Sequence, residues 1–297
     1  MIEHVKLTNK STSAVLELDS VSTPVYILDS VDWGSAGSTH HSSKYVDQIG
    51  EYVTSTSIDT RSVEITGWIV AEDESHMIQY RRFLNSLINP KQALSMEYKE
   101  YVLTVLPNSS VRYSASTSEN NEVMCKFKLD GFCPDPAFYS VEEDKVSAAS
   151  TTGKFRFPLV ISATPSPPGG VVFGERKPSL IASILNNGTM AAGMRIVLKA
   201  NGSVVEPTVT NVITNEFIKI RKTMVAGETI EISTVPGNKY IMGGTTSALE
   251  NYFRYRDYRS SWLQLEVGET IIAYGATSNV ENLDVFIYHY DKFLEVQ

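Results

Sequence analysis

Apolar and polar residues alternate at strand spacing over most of the chain. The pattern is clearest at Val123, Cys125, Phe127 and Leu129, which are separated by more polar residues. A period of two places the two sets of side chains on opposite faces of a strand. Many such short segments, punctuated by Gly, Asn and Pro, predict a mainly β protein.

One segment has helical periodicity instead. Between Met77 and Ile88, apolar residues recur every three or four positions, which is the spacing of one helix face. Asp73 is the predicted N-cap, and Asn89 followed by Pro90 ends the helix because the residue before proline disfavours helical geometry. The sequence therefore predicts one amphipathic helix among strands.

The order of these elements predicts two domains. Residues 137–153 hold an acidic run followed by Ser, Ala, Thr and Gly, a composition typical of linkers. We therefore predict an N-terminal domain over residues 1–136, a linker over 137–153 and a second domain over 154–297. The second domain opens with an apolar strand at 155–161 and has no long helical pattern, which predicts an antiparallel two-sheet sandwich.

Residues 34–60 differ from their surroundings, because they are rich in Ser, Thr, Gly and His. The segment is too polar to form core and too long to be a tight turn. The residues alone leave two interpretations open, a flexible loop or an extended hairpin that needs a partner to pack on. Its sparse apolar residues are Tyr45, Val46, Ile49, Tyr52 and Val53.

Charge is shared unevenly between the two halves. The net charge is −8, and residues 1–150 hold 12 Lys and Arg against 21 Asp and Glu, whereas the remainder holds 14 against 13. An acidic domain repels phosphates, which argues against nucleic-acid binding. No apolar run approaches the length of a membrane helix, and the first residues lack a secretory signal, so we expect a soluble product without membrane insertion.

Catalytic and metal-binding patterns are missing from the sequence. There is no G-x-S-x-G, H-E-x-x-H, phosphate-binding loop or G-x-G-x-x-G, so we predict no enzymatic activity and no cofactor. Cys125 and Cys133 are too few for a four-cysteine zinc site, and we expect both to be reduced and buried. His40 and His41 would point to opposite faces of a strand, so no metal site is predicted there either.

Aromatic and basic side chains alternate in residues 252–259. This alternation can stack on and clamp nucleic-acid bases, but in a sandwich it more often reflects arginine stems packed on neighbouring aromatic rings. If the segment has a function, a docking surface for another protein is an alternative. The residues concerned are Tyr252, Arg254, Arg256, Tyr258 and Arg259.

The order of motifs along both halves resembles the distal tail proteins of siphovirus-type bacteriophages and prophages of Gram-positive bacteria. In the N-terminal half, a strand, a single helix containing Arg81-Arg82-Phe83-Leu84, and further strands lead to the exit Phe132-Cys133-Pro134-Asp135-Pro136. In the C-terminal half, Asn201-Gly202 and Pro207 precede a strand at 218–220, and Gly227-Glu228 begins the next strand. A Gly237-Asn238-Lys239 turn and a Gly268-Glu269 turn then follow.

The resemblance implies a fold and an assembly. It implies an N-terminal β domain with one α-helix and a belt hairpin, followed by a galectin-like antiparallel β-sandwich. The protein would form a homo-hexameric ring, or hub, at the distal end of the virion tail, assembled in the host cytoplasm. That ring would join the tail tube protein to tip or baseplate proteins, such as a receptor-binding protein, and leave a channel for DNA.

The resemblance also assigns a role to residues 34–60, which match the belt in position and character. The five apolar residues of this segment would then be buried on the neighbouring subunit of the ring. The alternative function is a carbohydrate-binding sandwich for attachment to the host cell. The His-Asn-Arg and Trp-Glu-Arg pattern of galectins is not apparent, and Trp262 is expected to pack in the core or at a sheet edge.

Overall fold

A computed structural model describes residues 4–19, 25–147, 149–153, 174–178, 180–245 and 249–296. The chain forms two compact units. Unit 1 extends to Val141 and includes the residues from Phe293 onward, and unit 2 is Glu142–Lys292. Strands are the main secondary structure of both units, which confirms the predicted mainly β fold class.

Unit 1 contains the helix and the first strands of the chain. In order, these are β1 (His4–Asn9), β2 (Val15–Asp19), β3 (Tyr26–Asp32), β4 (Ser38–Ser43), β5 (Tyr52–Ile58), β6 (Arg61–Val70), α1 (Glu74–Leu87), β7 (Leu94–Tyr98), β8 (Tyr101–Pro107), β9 (Arg112–Tyr113), β10 (Met124–Cys133) and β11 (Phe138–Ser140).

Seven of these strands close into a barrel. Their hydrogen-bonded order is β8, β7, β1, β2, β3, β6 and β10, and the end of β10 pairs with β8 to complete the circle. Gly131 allows this closure, because a Cβ there would lie 2.2 Å from Cγ1 of Val105. Apolar side chains fill the interior. They include Leu7, Val63, Ile65, Leu94, Met96, Val105 and Leu129.

The helix begins and ends where the sequence predicts. Asp73 is the N-cap, with Oδ1 accepting a hydrogen bond from the backbone N–H of His76 at 2.9 Å. That bond, followed by the hydrogen bond from the Ser75 hydroxyl, lowers the pKa of Asp73 to about 2. Met77, Leu84 and Leu87 are buried against the barrel. Within the described ranges, no helix is long and apolar enough to cross a membrane.

Unit 2 contains most of the remaining strands. In order, these are β12 (Asp144–Ser147), β13 (Ala149–Gly153), β14 (Gly174–Pro178), β15 (Ile181–Asn186), β16 (Ala192–Ala200), β17 (Val204–Val205), β18 (Thr208–Asn211), β19 (Phe217–Lys219), β20 (Thr223–Met224), β21 (Thr229–Ser233), β22 (Tyr240–Gly244), β23 (Glu250–Asn251), β24 (Gln264–Leu265), β25 (Gly268–Gly275) and β26 (Leu283–His289).

Two antiparallel sheets of unit 2 enclose one apolar core. The larger has the order β12, β26, β16, β21, β22 and β23, with β24 also paired to β16, and the smaller has the order β15, β25, β18 and β19. Inward residues of both sheets, such as Ile196, Ile232, Val285 and Ile272, are fully buried. This arrangement confirms the predicted two-sheet sandwich. The predicted strand at 155–161 lies outside the described residues.

The domain boundaries differ from the predicted ones at two places. Residues 137–153 are not a linker, because β11 pairs with β8 in unit 1 and β12 pairs with β26 in unit 2. The acidic run contributes to folding, since Glu143 binds Arg195 at 2.7 Å. The chain end also returns to unit 1, where a last strand, β27 (Lys292–Phe293), lies beside β11. Such long-range pairing leaves no local signature in the sequence.

Both cysteines are free and buried, and burial raises the pKa of each thiol, to about 11 for Cys133. A raised pKa keeps the unreactive thiol form dominant at pH 8. We expect the native protein to react slowly with a chromogenic disulfide reagent and to titrate two thiols once unfolded in guanidinium. Rapid reaction of the native protein would contradict this burial.

Candidate functional site

Strands β4 and β5 form a separate two-stranded hairpin, which we call the belt hairpin (residues 38–58). Its register runs from Ser38 opposite Ile58 to Ser43 opposite Tyr52, with an irregularity between His41 and Ser42. Every residue of both strands is exposed. A two-stranded hairpin without further packing is only marginally stable in water. The segment is thus an extended hairpin, the second of the two interpretations of the sequence.

The tip of the belt hairpin carries the predicted apolar set. Tyr45 is 69%, Val46 93% and Ile49 102% exposed in the connection between the strands, and Tyr52 and Val53, 41% and 58% exposed, begin β5. The rings of Tyr45 and Tyr52 stack with centroids 5.4 Å apart. The tip therefore presents a small, organised apolar surface with no cover from the rest of the described chain.

The base of the hairpin is fixed by a buried arginine. Arg61, the first residue of β6, is fully buried, and one terminal nitrogen donates hydrogen bonds to the carbonyl oxygens of Gly34 at 2.9 Å and Trp33 at 3.2 Å. Gly34 has a φ of +59°, and a Cβ there would lie 2.1 Å from the carbonyl oxygen of Ser62. Only glycine fits this close approach.

The same guanidinium holds two other parts of unit 1. Its Nε donates to the carbonyl oxygen of Pro136 at 2.9 Å, and its second terminal nitrogen donates to Glu295 Oε1 at 2.9 Å and to the carbonyl of Leu294. The group also lies 4.8 Å from the ring centroid of Phe138. The five N–H donors of arginine all have acceptors available, which makes burial of the charge tolerable.

Sequence reasoning missed Arg61. It occupies the inward position of a strand whose later inward residues include Val63, Ile65 and Ile69. The alternation along this strand places Arg61 on the same face as the apolar residues, and this could have identified it from the sequence. A charged side chain on a buried face needs polar partners, so such an arginine is expected to bind several groups.

The structure corrects the assignment of Tyr252 to a docking surface. Tyr252 is 9% exposed, packs edge-on against Tyr255 with centroids 5.2 Å apart, and covers Gly243. Burial, followed by its hydrogen bond to Glu228, raises the pKa of the Tyr252 hydroxyl to about 12. Tyr252 is a core residue because its ring fills the space above a glycine.

Two of the other predicted docking residues, Tyr258 and Arg259, directly follow a buried carboxylate. Asp257, 1% exposed, accepts hydrogen bonds from the backbone N–H of Arg259 at 2.8 Å and from Nε of Arg221 at 2.7 Å. The backbone bond, then the Arg221 bond, lowers the pKa of Asp257. Tyr258 is 76% exposed, with Arg221 and Arg259 at 5.3 and 5.6 Å from its ring centroid.

Arg254 and Arg256 also contact aromatic rings within the segment. Arg254 lies 4.7 Å from the ring centroid of Tyr255, and Arg256 lies 5.2 Å from that of Trp262. Trp262 is half-buried and also contacts Phe253, with centroids 5.9 Å apart. Packing of arginine stems on aromatic rings accounts for these contacts. A docking role for Arg254, Arg256, Tyr258 and Arg259 stays a prediction.

Replacing Arg61 with Met tests its role at the base of the hairpin. Removing the guanidinium leaves several backbone carbonyl oxygens without their donor and Glu295 without its partner. We therefore expect the free energy of unfolding to fall by about 1–3 kcal/mol or more, the cost of leaving a polar group without a hydrogen bond. Chemical denaturation followed by circular dichroism measures this loss. Arg112, whose side chain is 64% exposed, is the matched control, and Arg112→Met should change stability little. Equal effects of the two variants would refute the proposed role.

Two protein-family models match the chain. Residues 25–158 match the phage tail protein RIFT-related domain, and residues 187–290 match the siphovirus-type tail component, C-terminal domain. Among curated protein sequences, none matches the chain. The two matched regions together span most of the chain and fall in the order expected from the sequence motifs.

Solved structures share the fold over essentially the whole chain. The crystal structure of SPP1 Dit (gp 19.1), described as a paradigm of the hub adsorption apparatus in phages that infect Gram-positive bacteria, has a TM-score of 0.64 at 12% identity. The match covers 97% of this chain and 99% of that one.

A chain of the phage P2 baseplate in its activated conformation with Ca has a TM-score of 0.54 at 12% identity, with full coverage of both chains. The corresponding baseplate with Sr has a TM-score of 0.52 at 13% identity, with 98% coverage of both. At these identities the likeness establishes the fold. Together with the two family models, it confirms the resemblance first seen in the sequence. This chain belongs to the siphovirus-type distal tail proteins, structural components of the phage tail.

Proposed function

We propose that the protein assembles into a hexameric ring at the distal end of the tail, with each belt hairpin packed on a neighbouring copy. The ring joins the tail tube protein to tip or baseplate proteins and leaves a channel for DNA. The observation that carries this proposal is the apolar tip of a hairpin whose strand residues are all exposed.

Exposure of this tip has an energetic consequence. Burying a Val or Ile side chain contributes about 1.5–3 kcal/mol, so Val46 and Ile49 alone offer a sizeable part of an association energy. Contiguous exposed apolar surfaces on soluble proteins often mark interaction sites. A second copy of the chain is a suitable partner because a complementary surface is present on unit 1.

That complementary surface is an open groove of about 450 Å³ between the barrel and α1, lined by Val15, Leu16, Glu17, Val25, Tyr26, Tyr80 and Phe83. Three aromatic rings line the groove. The ring centroid of Tyr26 lies 6.0 Å from that of Tyr80 and 6.2 Å from that of Phe83. The hydroxyl of Tyr26 donates to the carbonyl oxygen of Tyr80 at 3.0 Å. We assign this groove as the acceptor of a neighbour's tip.

The hairpin and the groove lie at different positions along β3, which favours a head-to-tail contact between copies. The hairpin leaves the barrel after Asp32, the last residue of β3, whereas the groove contains Val25 and Tyr26 at the start of that strand. A seven-residue strand spans about 20 Å, so the base of the hairpin and the groove lie at opposite ends of β3. Interfaces between two different surfaces of the same protein generate rings when the rotation closes.

Charge and the relatives support the rest of the proposal. The acidic N-terminal half would not adsorb DNA that passes through a channel. The structural relatives include baseplate chains and a hub protein, which supports a position at the tail end and contacts with other tail proteins. Arg254, Arg256, Tyr258 and Arg259 are our candidates for such a contact on unit 2.

Deleting residues 38–56 tests the belt. We expect the deletion to abolish ring formation while both units stay folded, because the strand residues of the hairpin contribute no buried core. Light scattering and negative-stain images report the ring, and thermal unfolding of the monomer reports the fold. Ile49→Asp places a charge in the apolar tip and should also abolish the ring. Val267→Asp is its control and should leave the ring intact, because Val267 is exposed, at 56%, but lies in unit 2. Rings that persist without the hairpin would refute the belt assignment.

Cross-linking tests the acceptor groove separately. With Ile49→Cys and Phe83→Cys in one chain, we expect disulfide-linked oligomers under mild oxidation, seen on non-reducing gels, because the native cysteines are buried. Ile49→Cys with Val267→Cys is the control and should remain unlinked. Intact rings without the Ile49–Phe83 cross-link would refute the groove as acceptor while leaving the ring proposal standing.

A further inference from the structure

A histidine occupies a core position at the end of β26. The inward residues of this strand are Leu283, Val285, Ile287 and His289, and His289 is 3% exposed. In the register of the larger sheet, His289 lies opposite Asp144, the first residue of β12. An imidazole in the place of an apolar side chain needs polar partners to offset its burial.

Three oxygen atoms lie near Nε2 of His289. The carbonyl oxygen of Leu185 lies 3.2 Å away, Oδ1 of Asp291 3.6 Å and Oδ2 of Asp144 4.0 Å. Donor atoms of Asp144, His289 and Asp291 all lie within 4.8 Å of one another. Leu185 belongs to β15, so the cluster joins the two sheets of the sandwich.

Two carboxylates lie close to the imidazole in this cluster. Asp291 is 7% exposed, and Asp144, with a side chain 58% exposed, contributes the second carboxylate. A divalent cation would neutralise both carboxylates. The Nδ1 atom of His289 is buried and has no hydrogen-bond partner in the described part of the chain.

We propose that unit 2 binds one divalent transition-metal ion through His289, Asp291, Asp144 and the carbonyl oxygen of Leu185. Imidazole with carboxylate and carbonyl oxygen is a ligand set of Zn²⁺ or Mn²⁺, whereas Ca²⁺ and Mg²⁺ prefer oxygen ligands alone. Ligand bonds to zinc are about 2.0–2.2 Å long, so the side chains must move inward on binding. Asp144, with a side chain 58% exposed, has the freedom to do so.

Neighbouring groups support the ligand geometry. The backbone N–H of Asn187 donates to Oδ1 of Asp291 at 3.1 Å, which orients that carboxylate. The Asn186 amide donates to the carbonyl oxygens of Met190 and Leu265 and orders the turn that presents Leu185. A bound ion would tie the first strand of unit 2 to its last one, and it would stabilise the unit by mass action.

Zinc binding to the full chain tests this proposal. Protein stripped with a chelator is titrated with Zn²⁺ by calorimetry, and thermal unfolding is followed with and without the ion. We expect the parent to bind one equivalent more than Asp144→Asn or His289→Gln, and its unfolding temperature to rise on zinc addition by more than theirs. Asp144→Asn should fold like the parent, because Asp144 is exposed and Asn is nearly isosteric with Asp, so a loss of zinc binding in this variant reports on the ligand itself.

His76→Gln is the matched control, since His76 also faces a carboxylate, Asp73 at 3.0 Å, but on an exposed helix end. This variant should keep the zinc stoichiometry of the parent. Equal zinc binding by the parent, Asp144→Asn and His289→Gln would overturn the site. Binding of Ca²⁺ in preference to Zn²⁺ at these residues would overturn the proposed class of metal.

Discussion

The buried guanidinium of Arg61 is the interaction on which the organisation of unit 1 depends. It is buried from solvent, so its N–H donors must be satisfied by the protein, and three segments that are far apart in sequence supply the acceptors. These segments are the base of the belt hairpin, the strand exit at Pro136 and the returning chain end at Glu295. A buried charge that makes several directional hydrogen bonds is compatible with few alternative geometries. Arg61 therefore fixes the positions of the three segments relative to one another.

A fixed base and a free tip suit the belt hairpin to binding. Gly34 and Arg61 set the direction in which the chain leaves the barrel, and the stacked Tyr45 and Tyr52 rings order the far end before any partner arrives. Ordering before association lowers the conformational entropy lost on binding. In the proposed assembly, a neighbouring copy would cover the strand residues between base and tip, which are exposed in the single chain.

The sequence pattern predicted those features that depend on residues close together in the chain. The helix from Asp73, the sandwich strands and the apolar set of residues 34–60 all follow from spacing, capping and composition. Barrel closure at Gly131 and the return of Phe293 to unit 1 depend on contacts between distant residues, and no short pattern encodes them. The burial of Tyr252 was missed for the same reason, since it depends on Gly243 in a neighbouring strand.

Ring geometry explains how a modest tip contact can hold an assembly. In the proposed head-to-tail arrangement each copy donates one tip and accepts another, so an open chain of copies always leaves one of each unpaired. Closing the ring satisfies both without recruiting a further molecule, and that last contact forms at a high effective concentration. Individually weak contacts of a few side chains then suffice, because no subunit of the closed ring can leave without breaking two of them at once.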